Sequence, residues 1–475
     1  MRYGGFVSAP FSTLPQTGYD RNRVATGILH FGPGAFHRAH QADYVDRLLA
    51  DDPRWGIAAV SLRSPGTVDA LARQDGLYTL AILDSETSFR TIGAHNAFYG
   101  PGSSGEVRAR LADPAVRIVS STVTEKGYCL GGDGSLDFDH PDVVRDIALP
   151  RDPVSIVGWL ALGLADRRAA GLAPFTPICC DNMVANGKKL GAAVAAFARR
   201  LDPELAGWIE GEVRFPDTMV DSITPASDER LRALVRERTG FADEIPVSRE
   251  AYAAWVIEDV LPEDRPDFAS VGIVLAGDVG AWEKAKLRIL NGAHSTLAYV
   301  GLLLGHTTVA DAMGDADLAA FIERLVREDV IASLMPCPID LQAYAGEIFD
   351  RFRNPAIGHR LAQIAGDGSQ KLPYRILDTI GEALAAGRSV ERLAVPIAAW
   401  MLFIERQAGA GEKIVDPLAA ALKEIARRPG LVERLLDLRQ VFRPEIAGDE
   451  RFRSAVESAV VKMRENLRGI LTARP

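Results

Sequence analysis

The segment Gly27-Ile-Leu-His-Phe-Gly-Pro-Gly-Ala-Phe-His-Arg38 decides the fold of the first half of the chain. An apolar run, Ile28 to Phe31, leads into Gly32-Pro-Gly34 and then into a helix-like stretch that ends near Leu49. A dinucleotide pyrophosphate needs glycines at such a strand-to-helix turn, because it approaches the backbone closely and sits on the helix N-terminus. His37 stands at the position where that pattern has its third glycine. The motif alone therefore leaves two interpretations equally open, a nucleotide-binding loop and an ordinary tight turn.

Apolar runs alternate with amphipathic stretches over the following residues. The runs Gly56–Leu62, Ala115–Ser120 and Phe175–Cys180 read as strands, and Val154–Ala170 has helical periodicity. Strands that alternate with helices form a parallel sheet covered on both faces. The sequence therefore predicts an α/β domain with a doubly wound, Rossmann-type sheet.

After about residue 280 the pattern changes to Ala, Leu, Arg and Glu at helical spacing. The segments with this spacing are 281–301, 317–330, 377–386, 395–407 and 455–471. Two glycines and an aspartate in Ala276-Gly-Asp-Val-Gly280 interrupt the preceding apolar run. We expect an NAD(P)-binding domain over residues 1–278 and a mostly helical substrate-binding and catalytic domain over residues 279–475.

Composition excludes several classes of function. The chain is 475 residues long, with 47% hydrophobic and 25% charged residues and a formal net charge of -9. Nucleic-acid binding relies on clustered Lys and Arg, so no nucleic-acid partner is expected. The first ten residues lack a signal-peptide pattern and no apolar run is long enough to cross a bilayer, which predicts a cytoplasmic protein with no membrane partner. The four cysteines have no CxxC spacing, which favours reduced structural thiols.

The segment Glu283-Lys-Ala-Lys-Leu-Arg-Ile-Leu-Asn-Gly-Ala-His294 concentrates groups suited to catalysis. On a regular helix, Glu283, His294 and Asn291 fall at about 60°, 80° and 140° from Lys286, so all four share one face. A base, an amide and an imidazole so arranged suit the oxidation of an alcohol, with Lys286 as the base and the amide N–H groups holding the developing alkoxide without a metal. A solvated helix face with a structural asparagine is the alternative.

Two further residues follow predicted strands, where open parallel sheets bind ligands. Asn182, in Cys179-Cys-Asp-Asn-Met183, is a second amide donor that acts with Asn291, or a turn residue that caps the next helix. The strand Gly56–Leu62 ends in Arg63 rather than in the acidic residue that binds the adenosine ribose. This strand end leaves the choice of cofactor open: we expect NAD, and NADP is possible because Arg63 could tolerate a 2'-phosphate.

Together these segments resemble the mannitol dehydrogenase family, the polyol-specific long-chain dehydrogenases, over nearly the whole chain. The matching segments are Ile28–Gln41, Gln74–Thr79, Thr122–Tyr128, Cys180–Asn182, Phe215–Asp221, Lys286–His294 and Asp367–Pro373.

The resemblance assigns a role to each matched site residue. It implies that Lys286 is the general base, that Asn182 and Asn291 polarise the reacting oxygen and that His294 positions the substrate. It also implies that Asp221 tunes the site and that Glu283 relays protons to solvent. The cofactor-binding positions are Gly32, Gly34, Ala35, Phe36, Arg63, Thr122 and Thr124, and no metal is implied.

Within the family the chain is most similar to the fructuronate reductase branch, through Thr124–Cys129 and Gly368–Pro373. That branch implies reversible reduction of D-fructuronate to D-mannonate, whose carboxylate requires a cation. Arg360 and Lys371 are the candidates, and surface charges are the alternative. A neutral-polyol dehydrogenase for mannitol or arabinitol and a non-catalytic nucleotide-binding protein are the competing functions. The partner is a small sugar acid or polyol, and a monomer is plausible.

Overall fold

A computed structural model describes residues 17–472. They separate into two compact units, the first ending at Gly280 and the second beginning at Ala281. The N-terminal residues in which we expect no signal peptide lie outside the described part. None of the helices formed by residues 17–472 combines the length and the hydropathy needed to span a lipid bilayer.

The first unit is built on a five-stranded parallel sheet. Its strands are β1 (Thr26–Phe31), β2 (Gly56–Val60), β5 (His95–Tyr99), β6 (Ile118–Ser121) and β7 (Thr176–Cys179). Their order across the sheet is β5-β2-β1-β6-β7, and every neighbouring pair is parallel. The chain builds the sheet outward from β1, first on the side of β2 and β5 and then on the side of β6 and β7. The direction of the strand order therefore reverses at β1, and the carboxyl end of β1 is where sheets of this kind bind ligands.

All six residues of β1 are buried, so both faces of the sheet are covered. Leu29 and Phe31 belong to one apolar core with helices on that side, and Ile28 belongs to a second core on the other side. A continuous apolar strand is what burial on both faces requires. The predicted doubly wound α/β fold is confirmed.

Two smaller mixed sheets complete the first unit. Their strands are β3 (Tyr78–Leu83), β4 (Ser88–Ile92), β8 (Thr218–Asp221), β9 (Val247–Glu250), β10 (Ala254–Glu258) and β11 (Val274–Ala276), in the orders β4-β3-β9 and β11-β10-β8. The helices are α1 (Ala35–Ala39), α2 (Gln41–Leu48), α3 (Gly66–Arg73), α4 (Ser104–Ala112), α5 (Pro141–Ala148), α6 (Ile156–Ala169), α7 (Asn186–Leu201), α8 (Pro203–Glu212) and α9 (Glu229–Thr239). The prediction of a single helix after the glycine loop is wrong. The structure has two helices there, because His40 between α1 and α2 has non-helical dihedral angles, φ −122° and ψ −84°.

The described part of the second unit is helical, as the spacing predicts. Helix α10 (Val279–Ala285) begins just before the boundary, and the others are α11 (Gly292–Leu304), α12 (Val309–Gly314), α13 (Ala316–Arg324), α14 (Ile331–Leu334), α15 (Leu341–Arg353), α16 (Leu361–Ile364), α17 (Gly368–Leu372), α18 (Asp378–Ala385), α19 (Glu391–Gly409), α20 (Ala419–Ala426), α21 (Leu431–Leu436), α22 (Pro444–Ala447) and α23 (Glu450–Thr472). Helix α19, which packs against α11 and α23, carries the buried Trp400 at the centre of this core.

Candidate active site

The turn after β1 has the backbone geometry that a dinucleotide loop requires. Gly32 has a φ of +86°, and a Cβ there would lie 2.1 Å from the carbonyl oxygen of Thr122. Only glycine fits such a position without strain. A Cβ on Gly34, by contrast, would have no neighbour nearer than 3.9 Å, so the backbone of Gly34 is open to close approach. Both positions fit a bound dinucleotide.

A buried histidine holds this turn in place. The His30 Nδ1 lies 2.8 Å from the Ser120 hydroxyl and its Nε2 lies 2.8 Å from the Thr122 hydroxyl, which in turn donates to the carbonyl of Gly32 at 2.8 Å. Since the Thr122 proton goes to that carbonyl, the His30 Nε2–H donates to Thr122 and Nδ1 accepts from Ser120. Burial lowers the pKa of His30 to about 3, so the ring is neutral.

The neighbouring rings of this turn are also buried and in contact with one another. His37, where a third glycine was expected, stacks on His30 with ring centroids 3.4 Å apart, and its Nε2 lies 3.0 Å from that of His95. Phe36 is half-buried and stacks on His40 at 5.0 Å. The predicted cofactor residues Ala35 and Phe36 thus form the first turn of α1, directly after Gly34.

The loop after β6 is tied to the residue that follows β7. Asp181 accepts hydrogen bonds from the backbone N–H groups of Val123 at 2.8 Å and Thr124 at 3.1 Å, and from the Tyr128 hydroxyl at 2.6 Å. Burial raises the pKa of the Asp181 carboxyl. The Asp181 carboxylate thus fixes the loop that contains the predicted cofactor residues Thr122 and Thr124, and it does not cap the next helix, α7, which begins after Ala185 without a side-chain cap.

Arg63, beyond the end of β2, is exposed and forms an ion pair with Asp142 at 2.8 Å. Cys129, His140 and Asp142 offer ligand atoms within 4.8 Å of one another, which is a possible metal-binding arrangement. Two of these groups are already engaged, because Asp142 pairs with Arg63 and the His140 Nδ1 accepts from the Asp142 backbone N–H at 3.2 Å. All four cysteines are free thiols, as expected.

The other two predicted site residues of the first unit end strands. Asn182 is exposed in the bend after β7, and Asp221 is the buried last residue of β8, paired with Ala254 of β10. The strand end therefore exposes Asn182 as an amide donor and places the Asp221 carboxylate inside the protein.

In the second unit, the predicted catalytic segment is not a regular α-helix. Residues Lys286–Asn291 form a π-helical segment between α10 and α11. The angles calculated for 3.6 residues per turn are therefore wrong here, because a π-helix bonds each residue to the one five positions away. Residues five apart, such as Lys286 and Asn291, lie closer around the axis than in an α-helix. Lys286 is 8% exposed, which excludes the solvated-face alternative for this residue.

His294 lies one turn into α11 and is also buried. Its ring packs on Phe352 with centroids 4.4 Å apart and contacts the edge of His359 at 5.3 Å. Burial, with the nearby charges of His359, Arg351 and Arg375, lowers the pKa of His294 well below its ordinary value. The His294 Nε2 is buried and has no hydrogen-bond partner among the described residues.

Sequence reasoning missed the ion pair that anchors this helical segment. Arg288, in the π segment, is 4% exposed and binds Glu382 of α18 through two nitrogens, at 2.5 and 2.7 Å. Lys284 donates to the same carboxylate at 3.0 Å. The two cations lower the pKa of Glu382 to about 2.

Of the two predicted carboxylate-binding cations, Lys371 is engaged within its own loop. Its ammonium donates to the carbonyls of Gly366 at 2.6 Å and Ile364 at 3.4 Å. Burial lowers its pKa, helped by the charge of Arg375. Arg360 is exposed and directly precedes α16. Arg375, which was not predicted, is part of another π segment (Pro373–Leu377) and donates to Ser295 of α11.

Comparison with known proteins agrees with this architecture. The mannitol dehydrogenase Rossmann domain matches residues 26–270, and the mannitol dehydrogenase C-terminal domain matches residues 278–464. The chain belongs to the mannitol dehydrogenase family. Members of the mannitol dehydrogenase family are oxidoreductases that act on secondary alcohols of polyols and sugar acids.

Individual members of the mannitol dehydrogenase family differ in substrate. D-mannonate oxidoreductase of Escherichia coli is 41% identical over 407 residues, 83% of each chain. Mannitol 2-dehydrogenase of Phaeosphaeria nodorum is 35% identical over 459 residues, 94% of this chain and 81% of that protein. The structure of Pseudomonas fluorescens mannitol 2-dehydrogenase in a ternary complex with NAD and D-mannitol has a TM-score of 0.81 and 35% identity, covering 97% of this chain and 96% of that one.

Proposed function

We propose that this protein catalyses the reversible, NAD-dependent reduction of D-fructuronate to D-mannonate. The observation that carries the reaction type is the burial of Lys286 on a helical segment that also carries Asn291 and, one turn later, His294. The choice of a sugar acid is supported by the similarity to D-mannonate oxidoreductase. The expected setting is the cytoplasm, and no partner other than the small-molecule substrate and cofactor is proposed.

The cofactor would accept a hydride as NAD in the oxidative direction and supply one as NADH in the reductive direction. Lys286 then takes the proton of the substrate hydroxyl during oxidation and returns it to the keto oxygen during reduction. A buried lysine suits this role because low polarity favours its neutral form. The Asn291 amide donates a hydrogen bond to the oxygen on which charge develops.

Two further residues of the second unit orient the substrate and move protons. The neutral His294 binds a substrate hydroxyl through Nε2, which satisfies a buried polar atom that otherwise lacks a partner. Glu283 relays protons between Lys286 and solvent. Asn182, as a further donor to the reacting oxygen, and Asp221, as a residue that tunes the site, remain predictions from the family resemblance.

The first unit fits NAD at its glycine turn. The open backbone of Gly34 and the first turn of α1, with Ala35 and Phe36, suit the pyrophosphate. Thr122 and Thr124 line the adjacent loop. Arg63 is paired with Asp142, so its charge is already compensated by a carboxylate, and this supports NAD as the preferred cofactor.

The test is steady-state oxidation of NADH and of NADPH with D-fructuronate, D-tagaturonate and D-fructose in parallel at neutral pH. We expect the highest kcat/KM with D-fructuronate and NADH. A higher kcat/KM with D-fructose would refute the sugar-acid assignment.

A mannitol 2-dehydrogenase activity is the second candidate. It is favoured by the 35% identity and nearly complete coverage of the mannitol 2-dehydrogenase that was solved with NAD and D-mannitol. It predicts that D-fructose is the preferred ketose and that the cations near His294 have no part in substrate choice.

A further inference from the structure

The guanidinium group of Arg375 lies against the helix that carries the proposed catalytic residues. This helix, called the catalytic helix below, consists of the π segment Lys286–Asn291 and α11. Its Nη1 donates to the Ser295 hydroxyl at 3.1 Å and to the carbonyl oxygen of Asn291 at 3.5 Å. The two backbone segments approach closely at Gly292, where a Cβ would lie 2.9 Å from the Arg375 carbonyl oxygen. Arg375 is thus held beside the residues to which we assign the reaction, Asn291 and His294.

Arg375 has no carboxylate partner in the part of the chain that the structure describes, although it is largely buried. Burial accordingly lowers its pKa. Arg288, on the same catalytic segment, has the bidentate partner Glu382. A buried cation without a counter-ion is costly, since the energy of desolvation is not recovered. Arg375 is therefore in the state expected of a cation whose anion comes from a ligand.

Arg375 lies near two other groups that carry protons. Beyond burial, the charges of His359, Arg351 and Arg375 contribute to the low pKa of His294, and the charge of Arg375 contributes to that of Lys371. The acidic groups that face Lys371 are Asp367 and Asp416. Asp416 is occupied by the backbone N–H of Ser369 at 2.8 Å and by its hydroxyl at 2.5 Å.

The positions of the remaining donors favour Arg375 over the two cations predicted from the sequence. The Lys371 ammonium donates to two carbonyls of its own loop, and Arg360 is exposed. Arg375 uses only Nη1 in its two hydrogen bonds, and its side chain keeps an accessible part. A guanidinium presents paired N–H groups that match the two oxygens of a carboxylate.

We propose that Arg375 binds the carboxylate of the substrate and thereby selects sugar acids over neutral ketoses. This inference rests on the proposed function, because it identifies the group that recognises the acid. In this arrangement the carboxylate neutralises Arg375 while the neighbouring His294 Nε2 binds a hydroxyl of the same substrate.

The test compares wild-type protein with Arg375→Gln and Arg375→Lys, using NADH with D-fructuronate and with D-fructose. For Arg375→Gln we expect kcat/KM with D-fructuronate to fall about 100-fold or more, mainly through KM, in line with a lost charge-assisted pair. The loss of kcat/KM with D-fructose should stay below about fivefold. The kcat/KM of Arg375→Lys with D-fructuronate should lie between the values of wild type and Arg375→Gln, because lysine keeps the charge but lacks the paired N–H groups of the guanidinium. Arg427→Gln, which removes an exposed arginine of the same unit, is the matched control.

Two added measurements keep the test decisive. NADH affinity and the melting temperature of each variant show whether it is folded, and calorimetric binding of D-mannonate and D-gluconate in the presence of NADH measures acid recognition without turnover. Equal losses on the acid and on the neutral ketose, or acid binding that is unchanged in Arg375→Gln, would overturn the inference. If wild type instead binds D-gluconate through Arg375 but does not reduce D-fructuronate, the proposed function fails while the carboxylate site stands.

Discussion

The turn after β1 and the catalytic helix both bury polar side chains, but they satisfy them differently. At the turn, both ring nitrogens of His30 have hydrogen-bond partners, and the Thr122 hydroxyl in turn donates to the carbonyl oxygen of Gly32. At the catalytic helix, the His294 Nε2 of α11 has no partner, and Arg375, which lies in the neighbouring segment Pro373–Leu377, has no carboxylate partner among the described residues.

The difference separates groups that hold the fold from groups reserved for a ligand. An unsatisfied buried group costs stability, about 1–3 kcal/mol when it is neutral. A buried polar group that has no partner in the free protein therefore lowers the stability of the fold and is available to bind a ligand. We expect substitutions at the turn to lower stability, and substitutions on the catalytic helix to lower activity with little loss of stability.

The largest effect is expected for Lys286→Ala. Removal of the proton-transfer group should lower kcat by about 10²- to 10⁴-fold, whereas NADH affinity and the melting temperature should change little. Stopped-flow turnover and NADH titration measure both, with the exposed Lys462→Ala as control. Turnover close to that of wild type would remove Lys286 from the mechanism.

Gly32→Ala and Gly34→Ala separate fold from cofactor binding at the turn. A Cβ at position 32 meets a carbonyl oxygen and a φ of +86°, so this variant should lose both thermal stability and NADH binding. A Cβ at position 34 has space, so its melting temperature should stay near that of wild type while the NADH Kd rises about tenfold or more. Equal stability of the two variants would contradict the strain argument.

His30→Leu and His294→Leu compare the two regions directly. His30→Leu removes the partner of the Ser120 hydroxyl and leaves Thr122 with only its bond to Gly32, so it should destabilise the protein by about 2 kcal/mol. His294→Leu removes an unsatisfied atom, so its melting temperature should hold or rise while kcat/KM falls about 10- to 100-fold. Calorimetric unfolding and steady-state kinetics on both variants test this, and a large stability loss in His294→Leu would contradict the comparison.

Acid should destabilise the turn. Burial lowers the pKa of His30 and His95 to about 3 and that of His40 to about 4. The unfolded chain therefore binds protons below about pH 6.5 that the folded chain excludes, and stability falls as the pH falls from there toward 4. Each histidine contributes at most about 1.4 kcal/mol per pH unit. Denaturant unfolding at pH 7, 6 and 5 measures the free energy of unfolding at each pH. We expect this free energy to fall more steeply with decreasing pH in wild type than in His30→Leu.

The smallest effect is expected at the anchor of the catalytic helix. Glu382→Gln weakens the pairing with Arg288 and Lys284, and because Glu382 is partly exposed the loss should be about 1 kcal/mol. The pKa of Glu382 is lowered to about 2, so its contribution is complete above about pH 4.5 and is lost as the pH falls toward 2. Unfolding curves of wild type and variant should therefore converge in acid. A constant difference between them would show that the charge of Glu382 is not involved.

The sequence predicted the parallel sheet because its apolar runs are the buried strands themselves. It did not reveal β5, His95–Tyr99, whose polar and aromatic residues lack a continuous apolar run. The short strands of the two mixed sheets were missed for a related reason, since strands of three to six residues give little periodicity. Helical spacing in the second unit is regular over long stretches and predicted α11, α13, α18, α19 and α23, whereas other helices, among them α15 and α20, were not predicted.

The site was predictable where its residues are neighbours in the sequence. Residue types and spacing singled out the segment Glu283–His294, although its π-helical geometry could not be predicted, and its catalytic role remains a prediction that rests on the family resemblance. Arg288 and Arg375 were missed because their partners, Glu382 and Asn291, are 94 and 84 residues away. The only signal for Arg375 was its position two residues after Pro373, the end of a matched motif. No property of the sequence distinguishes a paired buried arginine from an unpaired one.

The π-helical segment also sets how this helix tolerates changes in length. A helix that bonds to the fifth residue carries about one residue more per turn than its α-helical flanks. Deletion of Leu287 would let the segment close into a regular α-helix, because the π segment holds about one residue more than an α-helix of the same length. The path from Lys286 to His294 through the π segment turns through about the same angle as an α-helical path that is one residue shorter, so later positions keep nearly the same direction relative to Lys286. A homologue with one residue fewer there would therefore present its histidine on the same face, provided that its segment is α-helical.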